Sequence, residues 1–323
     1  MSERDSTESA PSPGDEGPAL IDGPALARLL PVGDAVAALR AALRGALDVA
    51  ATPPRSRVPL SGGQLLVMPA EFAGHAGVKL AGVVPGNRAR GLPSITGTYL
   101  LMDAPTLRPL AVLDGPALTL LRTSAVSALA VDHLAARDAG RLVLFGTGPQ
   151  AFAHAVALHH VRPLTSVEVV GRDPERVRSL VERCAEIGLT ASAAAPEAVA
   201  GADIVACCTA SPTPLFDGAA LAPHVTVVAM GSHTTDAREV DTVTVASSTV
   251  VVEDVATALR EAGDVAIPLD EGALTAGALV PLQEVVCGER TVDRTRPRLF
   301  KGTGMAWQDL VVAAAAERNR AGD

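Results

Sequence analysis

RLVLFGTGPQA, residues 141–151, runs from an apolar strand-like segment through a glycine turn into a helix-forming segment. Gly146, Gly148 and Ala151 stand there in GxGxxA spacing. The first glycine permits a tight turn, the second lets a pyrophosphate approach the backbone, and the small third residue lets helix and strand pack closely. Thr147, Pro149 and Gln150 complete the loop, and the helix that follows turns free N–H groups toward phosphate. The rhythm continues downstream. "SVEVV" precedes "GRDPERVRSLVERC", "ADIVACC" precedes "TASPTP", and "VTVVAM" precedes "GSHTTDAREV", an alternation of strand, turn and helix. It predicts an α/β fold with a parallel sheet wrapped by helices, a Rossmann NAD(P)-binding domain over 126–304.

Upstream the pattern differs. "PVGDAVAALRAALRGALDVA" reads as an amphipathic helix with Asp34 as N-cap. "RSRVPL", "QLLVMPA", "GVKLAGVV", "ITGTYLLMD" and "RPLAVLD" are short strand-like runs divided by Gly, Pro and Asn, the pattern of an antiparallel or mixed sheet. They make a smaller α+β domain over 18–125, and "ALTLLRTSAVSALAVDHLA" is a long helix leading out of it. The last helix, in 305–323, is expected to pack back onto this first domain. Residues 1–17, acidic, polar and Pro-rich, read as a disordered tail without the marks of a signal peptide.

Composition bounds the function. Apolar residues are 48% and charged residues 20% of 323, as in a soluble globular protein. A formal charge of −9 with scattered arginines gives no field for nucleic acid. No apolar run reaches the roughly 18 residues of a membrane helix. Four cysteines without a CxxC pair fit a reduced, cytoplasmic setting. The seven histidines show no metal-ligand spacing, so no metal is expected. Of 27 basic residues only two, Lys79 and Lys301, are lysines. A lysine kept between Val78 and Leu80 asks for a functional reason.

The second Rossmann strand ends "VEVVGRD". Gly171 removes bulk, and Arg172 offers a guanidinium for a 2′-phosphate, which favours NADP(H); Asp173 close by could instead serve the ribose of NAD(H). At the nicotinamide end, Thr209 and Ser211 in "TASPT" are candidates to hydrogen-bond ribose or amide. His233 in "GSH" is a candidate to hold or protonate a substrate.

"GVKLAGVVPGN", "GLPSITGTYLLMD", "LRTSAVSALA", "FGTGPQA" and "LFKGTGMAWQDL" occur in that order. Together they resemble the ornithine cyclodeaminase and mu-crystallin family, over nearly the whole chain after the tail. The resemblance implies a homodimer whose first domain binds substrate and dimerises. It also implies that Lys79, Arg55 and Arg122 meet a substrate α-carboxylate; Arg57, two residues beyond Arg55 on the same strand face, is an alternative contact. Cyclodeaminases carry G-x-D-x-P-G-K after the fifth Rossmann strand, where this chain has "GSHTTDAREVD". His233 replaces the Asp and Ala237 the Lys, while "TDAREVD" is closer to the P-D-x-R-E-L-D of the mu-crystallin-like reductases. The expected activity is therefore an NADPH-dependent reduction of 2-imino acids of the ketimine or Δ1-pyrroline-2-carboxylate kind, with Lys79 or His233 as the acid. The rivals are an ornithine cyclodeaminase or alanine dehydrogenase-type deaminating enzyme using NAD, and a non-catalytic crystallin-like binding protein.

Overall fold

The computed structural model describes residues 17–322, so all of the expected tail except Gly17 lies outside the described residues. The first domain is built on a six-stranded sheet of β1 (Ala19–Ile21), β2 (Ser56–Leu60), β3 (Gly63–Phe72), β4 (His75–Val83), β5 (Ile95–Asp103) and β6 (Pro109–Asp114). Their order is β1-β6-β5-β4-β3-β2. Each of the five strand-like runs upstream of residue 115 forms a strand, and the four from β3 to β6 pair antiparallel with their neighbours in sequence. β1, which has no counterpart in the sequence reading, adds parallel to β6. Side chains alternate across this sheet. Ile21, Leu113, Tyr99, Lys79 and Met68 share the covered face, and Leu20, Val112, Leu100, Val78 and Leu80 share the other.

Helices α1 (Gly23–Leu29) and α3 (Gly115–Leu134) pack on the first face, and α2 (Val32–Arg44) packs on α3. Asp22 and Asp114 cap α1 and α3, accepting from Ala25 N and Ala117 N at 2.8 Å. Asp34 does not act as the expected N-cap. α2 already starts at Val32 after Pro31, whose fixed φ suits a helix start, and Asp34 sits within the first turn. α3 runs unbroken across residues 125 and 126, where the sequence reading divides the domains, so the two share a helix rather than a linker.

The second sheet starts with β7 (Arg141–Phe145), α4 (Pro149–Val161), β8 (Ser166–Val170), α5 (Pro174–Glu186) and β9 (Ala191–Ala193). β10 (Ile204–Cys207) and β11 (Thr226–Ala229) follow; then come α6 (Thr242–Ser247), β12 (Thr249–Val252), α7 (Val255–Glu261), α8 (Gly263–Asp270), β13 (Val280–Pro281), α9 (Leu282–Cys287) and β14 (Arg298–Lys301). All pairs are parallel, in the order β13-β12-β14-β11-β10-β7-β8-β9. Both faces are buried, which is why its strands are continuously apolar: Leu142 and Leu144 face one core, Val143 and Phe145 the other. The order reverses between β7 and β10, so a crevice opens at their carboxyl ends.

Two expectations fail here. "TASPTP" after β10 and "GSHTTDAREV" after β11 are loops, not helices. Pro212 and Pro214 break the first, and buried side-chain bonds hold the second away from helical pairing. α10 (Ala306–Gly322) then returns to pack on β3, β4 and β5 of the first domain.

Candidate active site

The loop after β7 is shaped for a dinucleotide. Gly146 has φ +109°, and a Cβ there would lie 2.5 Å from the carbonyl oxygen of Cys208 on the neighbouring strand. A Cβ on Gly148 would face open space, the room a pyrophosphate needs. Ala151 is fully buried where α4 packs on the sheet. α1, α3, α5, α6 and α7 are capped by aspartates, whereas α4 starts at Gly148 with no side-chain cap. Its first N–H groups are left for an anionic ligand. Thr147, Pro149 and Gln150 line the loop, and Gln150 lies partly buried beside the Thr119 carbonyl. Behind it His154 bridges the Gln150 carbonyl and Ser127, and burial holds its pKa at about 4. α4 is thereby fixed to α3.

The residues after β8 divide their tasks differently from the sequence reading. A Cβ on Gly171 would strike Thr147 Cγ2 and Val177 Cγ2 at 2.7 and 2.8 Å, so the missing bulk serves packing beneath the loop. Asp173 caps α5, its Oδ1 accepting from Glu175 N and Arg176 N at 3.0 and 3.4 Å. Arg172 is exposed beside it. The loops after β10 and β11 also differ. The Thr209 hydroxyl donates to Glu239 Oε1 at 2.7 Å and that of Ser211 to the Thr213 carbonyl at 2.7 Å, so neither proton is free for a ribose or amide. Glu239 is fully buried and joins the two loops. It accepts from Thr209 N at 2.8 Å and Gly231 N at 2.6 Å, and burial lifts its carboxyl to about 7 against the pull of Lys301.

Lys79, Arg122 and Arg55 converge on the side facing the first domain. Lys79, only 4% exposed, lies 3.1 and 2.8 Å from the two carboxylate oxygens of Asp309. Arg122 Nε is 3.3 Å from Asp309 Oδ1, and its Nη1 donates to Gln308 Oε1 at 2.9 Å. Arg55 pairs through Nε with Glu261 at 2.8 Å and donates to the carbonyls of Thr303 and Gly304. Burial first, then Arg122, lowers the Lys79 ammonium to about 8 although Asp309 opposes both. Gly304 has φ +76°, and a side chain there would run into the Arg122 guanidinium.

His233 is at the edge of this cluster, where Arg57 Nη2 donates to its carbonyl at 3.2 Å. Desolvation, then Lys301, Arg55, Arg122 and Arg57, lowers its pKa well below the ordinary histidine range. The residue keeps exposed surface, but four surrounding cations disfavour its protonation whatever the depth of the ring. Both causes disfavour its imidazolium form.

The partners of these groups escape a reading by residue type. Glu253 accepts from Thr303 N and Gly304 N at 2.9 and 2.7 Å and from Gln308 Nε2 at 2.7 Å. Lys301, the second lysine, is fully buried against Asp264 at 3.0 Å and donates to the Ser232 carbonyl. The signal that marks Lys79, a lysine in a chain of arginines, marks Lys301 equally. Cys184, Cys207, Cys208 and Cys287 are free thiols. Among the described residues no helix is long and apolar enough to cross a membrane. Nor, among them, do three or more His, Cys, Asp or Glu gather to hold a metal ion.

The pattern of the ornithine cyclodeaminase/mu-crystallin family matches residues 26–322. The Δ1-pyrroline-2-carboxylate/Δ1-piperideine-2-carboxylate reductase of Azospirillum brasilense is 38% identical over 270 residues, 82% of this chain and 84% of that protein. The structure of Thermococcus litoralis Δ1-pyrroline-2-carboxylate reductase with NADH and L-proline superimposes with a TM-score of 0.88 at 27% identity, over 94% of this chain and 98% of that one. An archaeal alanine dehydrogenase dimer with bound NAD gives 0.87 at 25% identity, over 94% and 96%. The glycine cradle, the buried Lys79 and the returning α10 thus sit in a frame shared along nearly the whole chain, which belongs to the ornithine cyclodeaminase/mu-crystallin family.

Proposed function

We propose that the protein is an NAD(P)H-dependent reductase of 2-imino acids, cyclic ketimines such as Δ1-pyrroline-2-carboxylate among them, giving L-amino or L-imino acids. The observation that carries this reading is the buried Lys79 ammonium beside the buried Arg122 and the largely buried Arg55 guanidiniums, in a chain that also carries the glycine cradle at 146–151. Arg122 and Arg55 supply planar donors for the substrate carboxylate. A nicotinamide held at the cradle supplies the hydride to the C=N carbon. The electron pair of the C=N bond moves to nitrogen, and Lys79 gives that nitrogen its proton. Holding the carboxylate fixes the approach geometry and supplies much of the rate. Ornithine cyclodeamination is disfavoured, because position 233 carries an imidazole among cations rather than a carboxylate for the substrate amine. Purified protein tested with NADPH or NADH against pyrroline-2-carboxylate, piperideine-2-carboxylate, and pyruvate with ammonia or methylamine should oxidise the cofactor. Silence with every imine, and ammonia release from ornithine or alanine with NAD, would overturn the reading.

For the coenzyme, NADP(H) is the preferred form in this proposal. Asp173 is engaged as a helix cap, while Arg172 is exposed at the end of β8, where a 2′-phosphate would lie. Arg172→Ala is expected to raise KM for NADPH about tenfold and leave KM for NADH within about twofold, the loss of one exposed charge-assisted contact. Equal effects on both would assign Arg172 to adenine or to solvent.

The protein acts as a homodimer in this reading, in a reducing compartment that fits its free thiols, the cytoplasm. The outer face of the first sheet is apolar, with Leu20 82%, Val58 42% and Leu80 36% exposed. A contiguous face of this kind on a strand-rich layer asks for cover. Leu80→Asp should convert the dimer to monomers in light scattering; a variant that elutes unchanged would move the interface elsewhere.

A further inference from the structure

We propose that Asp309 is a positioning residue that acts through Lys79: it aims the ammonium and keeps it protonated for transfer. The inference rests on the reductase reading. Asp309 is fully buried in the first turn of α10, where the helix dipole favours an anion. Its carboxylate touches two cations from two other elements, Lys79 on β4 at 2.8 Å and Arg122 on α3 at 3.3 Å. The carboxylate has little freedom. Gln308, the preceding residue, is pinned between Arg122 Nη1 at 2.9 Å and Glu253 Oε1 at 2.7 Å, and Glu253 also holds the Thr303–Gly304 turn. Three elements distant in sequence thus fix one carboxylate beside one ammonium.

The groups facing Lys79 divide by sign. Arg122 from α3 and Arg55 from the segment before β2 are cations that weaken its hold on a proton; Asp309 from α10 strengthens it. Tyr99 on β5 and Met68 on β3, its register partners, bring a neutral phenol and an apolar side chain. Glu261 and Glu253 are engaged with Arg55 and with the turn after β14. Asp309 is therefore the carboxylate that offsets burial and two guanidiniums at this ammonium. A proton poised near the working pH transfers most effectively, and the balance at Lys79 puts it there.

The chain itself offers a direct test, because its only two lysines are Lys79 and Lys301. Protein labelled with 13C at lysine Cε has two lysine signals to follow against pH. In the wild type the Lys79 signal should titrate near 8. In Asp309→Asn its midpoint should fall by about one unit or more, and the alkaline limb of kcat/KM for imine reduction should move down by the same amount. Lys301, paired with Asp264, should stay as it is and serves as internal control. Asp309→Glu, which keeps the charge, should restore the limb even where kcat stays low. A purely structural role would lower activity at every pH without moving either midpoint. An unmoved Lys79 midpoint in an Asp309→Asn protein with an unchanged Lys301 signal and intact NAD(P)H binding would overturn the proposal. A wild-type Lys79 titrating at the ordinary lysine value would overturn it as well, even if the variant did not fold. The titration needs no substrate, so failure of the imine panel would remove the reductase reading and leave this result standing.

Discussion

Lys79→Met is expected to lower kcat for imine reduction at least about a thousandfold, within the range for loss of a positioned general acid. Binding of NAD(P)H should change little. Met keeps the length and the apolar stem of lysine and removes only the ammonium. The cradle at Gly146–Ala151 lies on another element and keeps its geometry, so quenching of Trp307, the single tryptophan, by NAD(P)H should persist. A pH profile separates the two candidate acids by sign. The Lys79 ammonium is lowered only to about 8, so reduction that depends on its proton is intact at neutral pH and fades as pH rises through 8. Burial and four nearby cations lower the His233 imidazolium, so a reaction relying on its proton would show its limb on the acid side and none near 8. Retained turnover in Lys79→Met, or a profile flat through 8, would sink the assignment of Lys79. Asp309 loses one of its two cations in this variant, and thermal stability should fall with it.

How far such a site can be read from sequence depends on whether a residue's reason is local. The cradle is local: strand, glycines and small residue lie within eleven positions, and each has one steric task. Lys79 draws attention because a lysine is unusual in this arginine-rich chain, a mark it shares with Lys301, and its expected role comes from the family resemblance. Asp309, Gln308 and Glu253 carry no such mark, since a polar pair at the start of a helix normally faces water. Their burial exists because Lys79 and Arg122 come to them from residues 230 and 186 positions away. Topology hid more. β14 enters the parallel sheet between β11 and β12, although it is last of the three in the chain, and no spacing announces that crossing. The loops after β10 and β11 occupy places where alternation predicts helices. Glu239 and Asp264 instead hold their backbone from the side, giving Thr209, Gly231, Glu239 and Val240 the bonds that a helix would have supplied.

Arg122→Lys should be nearly as damaging as Lys79→Met, by a different route. It keeps the charge and loses the fork. Arg122 satisfies Gln308 with Nη1 and reaches Asp309 with Nε while the rest of its guanidinium faces the turn at Gly304. A lysine ammonium is one point with rotating donors and cannot meet a carboxylate in two places while also filling the Gln308 acceptor. kcat/KM for the imino acid is expected to fall about 100- to 1,000-fold, roughly 3 to 4 kcal/mol, mostly through KM. The alkaline limb near 8 should stay in place, because a cation still stands beside Lys79. Arg122→Met makes the contrast: removing the cation that lowers Lys79 should shift that limb to higher pH while KM rises further. A shift in the limb without a change in KM would mean that Arg122 tunes the acid and that Arg55 or Arg57 holds the carboxylate. A change in KM with the limb fixed would assign the carboxylate to Arg122 and leave Lys79 under the control of Asp309.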